Sequence, residues 1–155
     1  MHYPGVVLGR LYEGQECSAA RALELVGERW SLLILRDAMF RGSTRFSQFT
    51  QSLQIATNIL AKRLASFVEA GLMEVRQYGP RADDREYVLT QMGLDFMPAV
   101  IALTEWGDRW VGPGPVVFEH RGCGGHVESK LVCKDCGKAV RPGSVAALRR
   151  NGPRP

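Results

Sequence analysis

Gly112-Pro113-Gly114-Pro115 divides this chain of 155 residues more firmly than any other stretch. Proline lacks the N–H that a helix needs, and glycine loses the most backbone freedom on ordering, so no helix continues through the four residues. The segment reads as a hinge. Residues 1–16 before the first periodic stretch read as a loosely structured N-terminal arm, and residues 17–111 as one folded domain. Residues 112–155 form a tail rich in Gly, Cys and basic residues, whose end, Asn151-Gly152-Pro153-Arg154-Pro155, is expected to fray. The length suits one domain with a small appendage. No internal repeat is read in the chain.

The domain is mostly helical by periodicity. Ala22, Leu25 and Val26 share one face, and Gly27 can stop that helix. Trp30, Leu33 and Ile34 keep helical spacing up to Gly42. Ser43 and Thr44 offer caps to a short helix holding Phe46, Phe49 and Leu53. A further helix covers residues 56–70, with Leu60, Leu64, Phe67 and Val68 inward and Gly71 ending it in the left-handed conformation. Residues 72–78 alternate as a strand, 79–84 form a turn, and 85–89 return. Residues 91–111 then carry one long helical pattern. The order helix, helix, short helix, helix, hairpin, long helix is that of a winged helix-turn-helix, mainly α with a small β-hairpin wing.

Charge gives the domain a direction. Residues 1–112 carry 12 Lys and Arg against 13 Asp and Glu, a net of −1, while residues 113–155 carry 8 against 3, a net of +5. The sequence pI of about 9.1 thus comes from the tail. Inside the near-neutral domain, Ala38 to Val68 contains four basic residues and no acid. On the helix over 56–70, Thr57, Asn58, Ala61, Lys62 and Ala65 lie opposite Leu60, Leu64 and Phe67. Small alanines permit close approach to a DNA major groove, where Asn58 and Lys62 can reach base edges or phosphates. A carboxylate there would meet a phosphate array of one charge per ~1.7 Å of duplex axis. Arg63 continues this basic surface, Arg45, Ser47 and Gln48 extend it onto the short helix, and Arg76, Arg81 and Arg85 surround the hairpin, suited to the flanking backbone or minor groove. Asp83 and Asp84 at the tip oppose that use, or hold the arginines in place. Chance is the competing explanation of the acid-free run, and the hairpin behind it weighs against chance.

The residues Cys17, Gly27-Glu28-Arg29-Trp30, Leu33-Ile34-Leu35-Arg36-Asp37 and Arg45-Phe46 resemble the opening of HxlR-type regulators, a branch of the MarR-like winged-helix transcription factors. The resemblance continues through Ile59 to Leu64, Glu69-Ala70-Gly71-Leu72, Glu86 to Thr90 and Gly93, covering about residues 17–110. It implies a homodimeric bacterial regulator of transcription, more often a repressor, acting on double-stranded DNA. Two positions depart from the pattern: Ala56 stands where a capping Ser is usual and Ala61 where Thr is common. Thr57 is expected to take over some of the capping. The resemblance also implies that the long helix packs against a partner, and Phe96, Val100, Leu103, Trp106 and Trp110 are the expected dimer interface, the alternative being that they fold back on their own domain.

The tail carries His120-x2-Cys123-x9-Cys133-x2-Cys136, with Cys123 and Cys136 each followed by glycine. Two short hooks of this kind wrap a tetrahedral ion, so a structural Zn²⁺ in a zinc-ribbon-like tail is expected, with His126 competing as fourth ligand. A disulfide, a Cys133–Cys136 redox pair and a degenerate ribbon without metal are the other readings. Cys17 stands alone before a helix N-terminus, where the helix dipole can lower a thiol pKa. Some HxlR-type regulators sense oxidants or electrophiles with a cysteine at this position, which makes Cys17 a candidate redox sensor; the plainer expectation is a small buried thiol.

No Ser/His/acid set, phosphate-binding glycine loop or carboxylate pair marks an enzyme, and a four-ligand metal site leaves no position open for substrate. Neither a membrane span nor a signal peptide is read, so a cytoplasmic protein is expected. The function expected is a DNA-binding regulator acting as a homodimer on a near-palindromic operator, with a small-molecule or redox effector. A zinc-stabilised protein-interaction module, using the winged helix as scaffold, is the alternative.

Overall fold

The computed structural model describes residues 17–148; the expected N-terminal arm and the fraying end lie outside them. The chain forms two compact units, divided between Val100 and Ile101. That boundary falls inside a helix, earlier than the Gly112–Pro115 hinge.

The first unit runs α1 (Ser18–Val26), α2 (Ser31–Arg36), a π-helical turn (Asp37–Arg41), α3 (Phe46–Leu53), α4 (Thr57–Glu69), β1 (Met73–Gln77), β2 (Arg85–Leu89) and α5 (Gln91–Leu94), and it takes in the start of α6 (Met97–Trp110). The strands pair antiparallel, Met73 opposite Leu89 and Gln77 opposite Arg85. Ile34 and Leu35 of α2, Phe49 of α3, and Leu60, Leu64 and Phe67 of α4 meet in the core with at most 1% exposure. This is the mainly helical winged helix-turn-helix that periodicity predicts, because each helix has one apolar stripe and only mutual packing removes all of them from water.

Two features go beyond the periodicity. The pattern over 91–111 is two helices, not one. Pro98 has no N–H for the carbonyl of Leu94, and its ring would clash with that carbonyl; at the start of α6 it loses nothing. Gly93 sits where a Cβ would overlap the Leu72 carbonyl oxygen, which brings α5 down onto β1. Thr90 caps that helix by accepting from the Gly93 N–H, and its hydroxyl donates to the Gly71 carbonyl at 2.6 Å.

The second unit holds the remainder of α6, two isolated β-bridges and a 3-10 turn (Pro142–Ser144). From residue 102 to 148 no residue is buried.

Candidate nucleic-acid interface and cysteine tail

The exposed face of α4 is the one expected. Thr57, Asn58, Ala61, Lys62 and Ala65 are all exposed, opposite Leu60, Leu64 and Phe67 at 0–1%. The α4 N-terminus has no side-chain cap, so Thr57 does not replace the missing serine. The N–H groups of Ile59 and Leu60 both turn to the Ala56 carbonyl at 3.0 Å, and those of Thr57 and Asn58 have no acceptor among the described residues. An uncapped helix start with outward N–H groups attracts anions. Lys62 makes no ion pair among the described residues, but Arg63 does: its guanidinium points to Glu28, 3.9 Å away, and only 19% of its side chain is exposed. Arg63 is therefore drawn from the expected groove surface toward α2.

The start of α3 is bound to the wing. Gln48 accepts from the Thr44 and Arg45 N–H groups at 2.8 and 2.9 Å, so its carbonyl oxygen caps α3. Arg45 stacks on Tyr78 at 4.3 Å and pairs with Glu86 at 3.4 Å. The Tyr87 N–H donates to the Thr44 carbonyl at 2.7 Å. Ser47 is exposed beside them. A cleft of about 280 Å³ between these parts is lined by Phe46, Ala82, Asp83, Arg85 and Tyr87. Of the wing arginines, Arg76 pairs with Glu74 on its own strand at 2.6 Å, whereas Arg81 and Arg85 are exposed with no ion pair among the described residues. Asp84 holds a backbone group and not a guanidinium: it accepts from the Arg81 N–H at 2.9 Å and closes the turn.

Beneath this surface lies a network that sequence reasoning missed. Asp37 is fully buried, and its carboxylate accepts from Arg36 at 2.9 and 2.7 Å and from the Ser52 hydroxyl at 2.5 Å. Arg41 donates to Ser52 at 3.0 Å and lies 3.7 Å from Asp37. A buried carboxylate needs such partners, and these join the end of α2 to the far end of α3. The partner Ser52 is 15 residues away, beyond the reach of helical periodicity.

The expected interface stripe divides. Val100 is 4% exposed within the core of the first unit and Phe96 packs against that core, so these two serve their own domain. Leu103, Trp106 and Trp110 are 50%, 57% and 70% exposed. Spaced three and four residues apart, they line one side of α6.

In the tail, His120 Nδ1 lies 3.3 Å from Cys123 Sγ. The Cys133 thiol is held below its ordinary pKa, first by the backbone N–H of Cys136, then by that of Asp135 and by the Cys136 thiol. The two pairs stay apart: among the described residues, no three of His, Cys, Asp or Glu stand close enough to hold an ion. The segment between the pairs is fastened to α6, where Glu105 accepts from the Ser129 N–H at 2.9 Å and from its hydroxyl. All four cysteines are free thiols.

Cys17 corrects the expectation of a buried thiol. It is exposed, and as N-cap of α1 its sulfur accepts from the Ala20 N–H at 3.3 Å.

A helix whose exposed face from Thr57 to Ala65 carries no carboxylate, following a shorter helix and followed by an arginine-bearing hairpin, defines a winged helix-turn-helix protein. The HxlR-like helix-turn-helix family matches residues 25–115, and the chain belongs to that family. An HTH-type transcriptional regulator of Mycobacterium tuberculosis is 41% identical over 142 residues, covering 89% of this chain and 87% of the relative. Among solved structures, PA1607, described as a transcription factor, is similar with a TM-score of 0.76 and 34% identity over 88% of this chain and 96% of that one. The redox regulator HypR in its reduced form has a TM-score of 0.55 and 26% identity, over 61% of this chain and 96% of its own. The first two likenesses are too long to end before the tail; HypR matches a share no longer than the winged helix. No helix among the described residues is long and apolar enough to cross a membrane.

Proposed function

We propose that this chain is a cytoplasmic transcription regulator, acting as a repressor, that binds a near-palindromic operator in double-stranded DNA as a homodimer. The observation that carries the reading is the face of α4: five exposed residues without a carboxylate, a Lys62 with no ion pair among the described residues, and N–H groups at the helix start without a side-chain cap. Asn58 and Lys62 would meet base edges and phosphates, while Arg45, Ser47, Arg81 and Arg85 would contact the flanking backbone. Dimer formation is supported by Leu103, Trp106 and Trp110, too large and too apolar to be left in water singly on one side of a helix. A two-fold dimer presents two reading helices to half-sites one helical turn apart, ~34 Å. A protein-interaction scaffold needs no acid-free groove face, which makes the alternative function the weaker one. The naming of its relatives as transcriptional regulators favours regulation over catalysis.

The test is binding to fluorescent duplexes from the intergenic DNA beside the coding region. The wild type should bind an inverted repeat there with an affinity that falls steeply with salt, and Lys62→Ala should lower the salt slope by roughly one. Equal affinity and slope for wild type and Lys62→Ala would remove α4 from the groove.

A redox effector acting at Cys17 is a second part of the reading, supported by the exposure of that thiol. Diamide should release DNA from the wild type and leave Cys17→Ser bound. Equal release from both proteins would assign Cys17 to capping alone.

A further inference from the structure

The tail contains a repeat that the residues hide. His120 and Cys133, Cys123 and Cys136, and Gly124 and Gly137 each stand 13 positions apart, and the backbone follows one path in both copies. In the first, the Gly124 N–H donates to the His120 carbonyl at 2.8 Å, the His120 N–H to the Gly125 carbonyl at 2.8 Å, and the Val127 N–H to the Phe118 carbonyl at 2.8 Å. In the second, the Gly137 N–H donates to the Cys133 carbonyl at 2.9 Å, the Cys133 N–H to the Lys138 carbonyl at 3.0 Å, and the Val140 N–H to the Leu131 carbonyl at 2.8 Å. Bridges close both, Glu119 with His126 and Val132 with Ala139. The glycines share a left-handed φ, +72° and +68°, which L side chains rarely adopt.

We propose that these two hooks clasp one thiophilic divalent cation of the zinc class, with His120, Cys123, Cys133 and Cys136 as its four ligands. The repeat decides between the histidines. His120 occupies the position of Cys133, so it stands where a ligand stands, whereas His126 corresponds to Ala139. Donor spacing agrees: N and S ligands of a tetrahedral zinc ion lie roughly 3.5 Å apart, given bonds of about 2.0 and 2.3 Å. His120 Nδ1 and Cys123 Sγ are separated by 3.3 Å. The ion would draw the two hooks, now apart, onto one centre. It would also supply what the segment lacks, since no residue from 102 to 148 is buried and its hydrogen bonds, the Ser129–Glu105 pair included, have no apolar core beneath them.

The full-length protein from zinc-replete cells should carry about one Zn²⁺ per chain, and Co²⁺ in its place should give the absorption bands of a tetrahedral sulfur site. Cys133→Ser and His120→Ala should each lower the metal content at least about tenfold at limiting free zinc, while His126→Ala keeps it. His120→Cys is the rescue variant: the repeat requires that it hold about one equivalent and add thiolate-to-cobalt absorption. Metal below about a tenth of an equivalent, with no cobalt spectrum, would overturn the site. Loss of metal in His126→Ala with retention in His120→Ala would overturn the ligand set.

Discussion

In the first unit Phe49, Ile34, Leu35, Leu60 and Leu64 have no exposed surface, and a buried carboxylate accepts at one oxygen from two N–H groups of an arginine and at the other from a serine. In the second, the described residues after Ile101 have no buried side chain, and Trp106 and Trp110 lie open. Apolar burial contributes about 25 cal/mol per Å² removed from water, so the first unit has an internal source of stability. The second has backbone bonds, whose net worth is about 1 kcal/mol each, against an ordering cost of about 1–2 kcal/mol per residue. The proposed ion would supply the hooks, and the proposed second copy the tryptophans, with the burial that this unit lacks.

The largest effect follows from that difference. Stripping metal with a strong chelator should render residues 113–140 sensitive to protease while the urea midpoint of the winged helix stays in place. Simultaneous loss of both would mean that the two units are not independent in stability. Next comes Asp37→Ala, which leaves Arg36 and Arg41 without their shared acceptor. Breaking such a buried pair costs about 3 kcal/mol, read as a lowered urea midpoint of the first unit. A loss below about 1 kcal/mol would reduce the network to a surface pair.

Trp106→Glu should come third. If the open side of α6 is the dimer contact, the dissociation constant should rise about thirtyfold, or about 2 kcal/mol, by sedimentation. Val100→Ala should instead lower the stability of the first unit, because Val100 is already in its core. Smallest is Arg63→Ala. Its partly exposed pair with Glu28 contributes about 1 kcal/mol or less, and the salt slope of DNA binding should stay as it is. A fall in slope equal to that of Lys62→Ala would return Arg63 to the DNA.

Arg63 and Lys62 are adjacent in the chain and opposite in fate, and that contrast measures how far a helical wheel can be trusted. The wheel puts both near the solvent side; only the position of Glu28, from the turn before α2, draws one away. The break at Pro98 was present in the sequence and is explained by one missing N–H, yet the apolar spacing of residues 91–111 runs across it unbroken. Phe96 and Val100 share their stripe with Trp106, and spacing alone cannot tell which side chains meet their own core first. The repeat in the tail is nearly invisible in residue types, since only the Cys-Gly pairs and the closing valines coincide; it becomes clear in the carbonyls each N–H selects.

Local periodicity, turn residues and the charge of one helix face were enough to determine the winged helix-turn-helix, the exposed face of its fourth helix and the two cysteine hooks, because each depends on neighbours within a few residues. Tertiary packing alone decided that Asp37 is buried with Ser52, that Arg63 serves Glu28, and that the apolar stripe divides after Val100. Each of these depends on which distant group reaches a side chain or carbonyl first, and a linear pattern does not carry that distance.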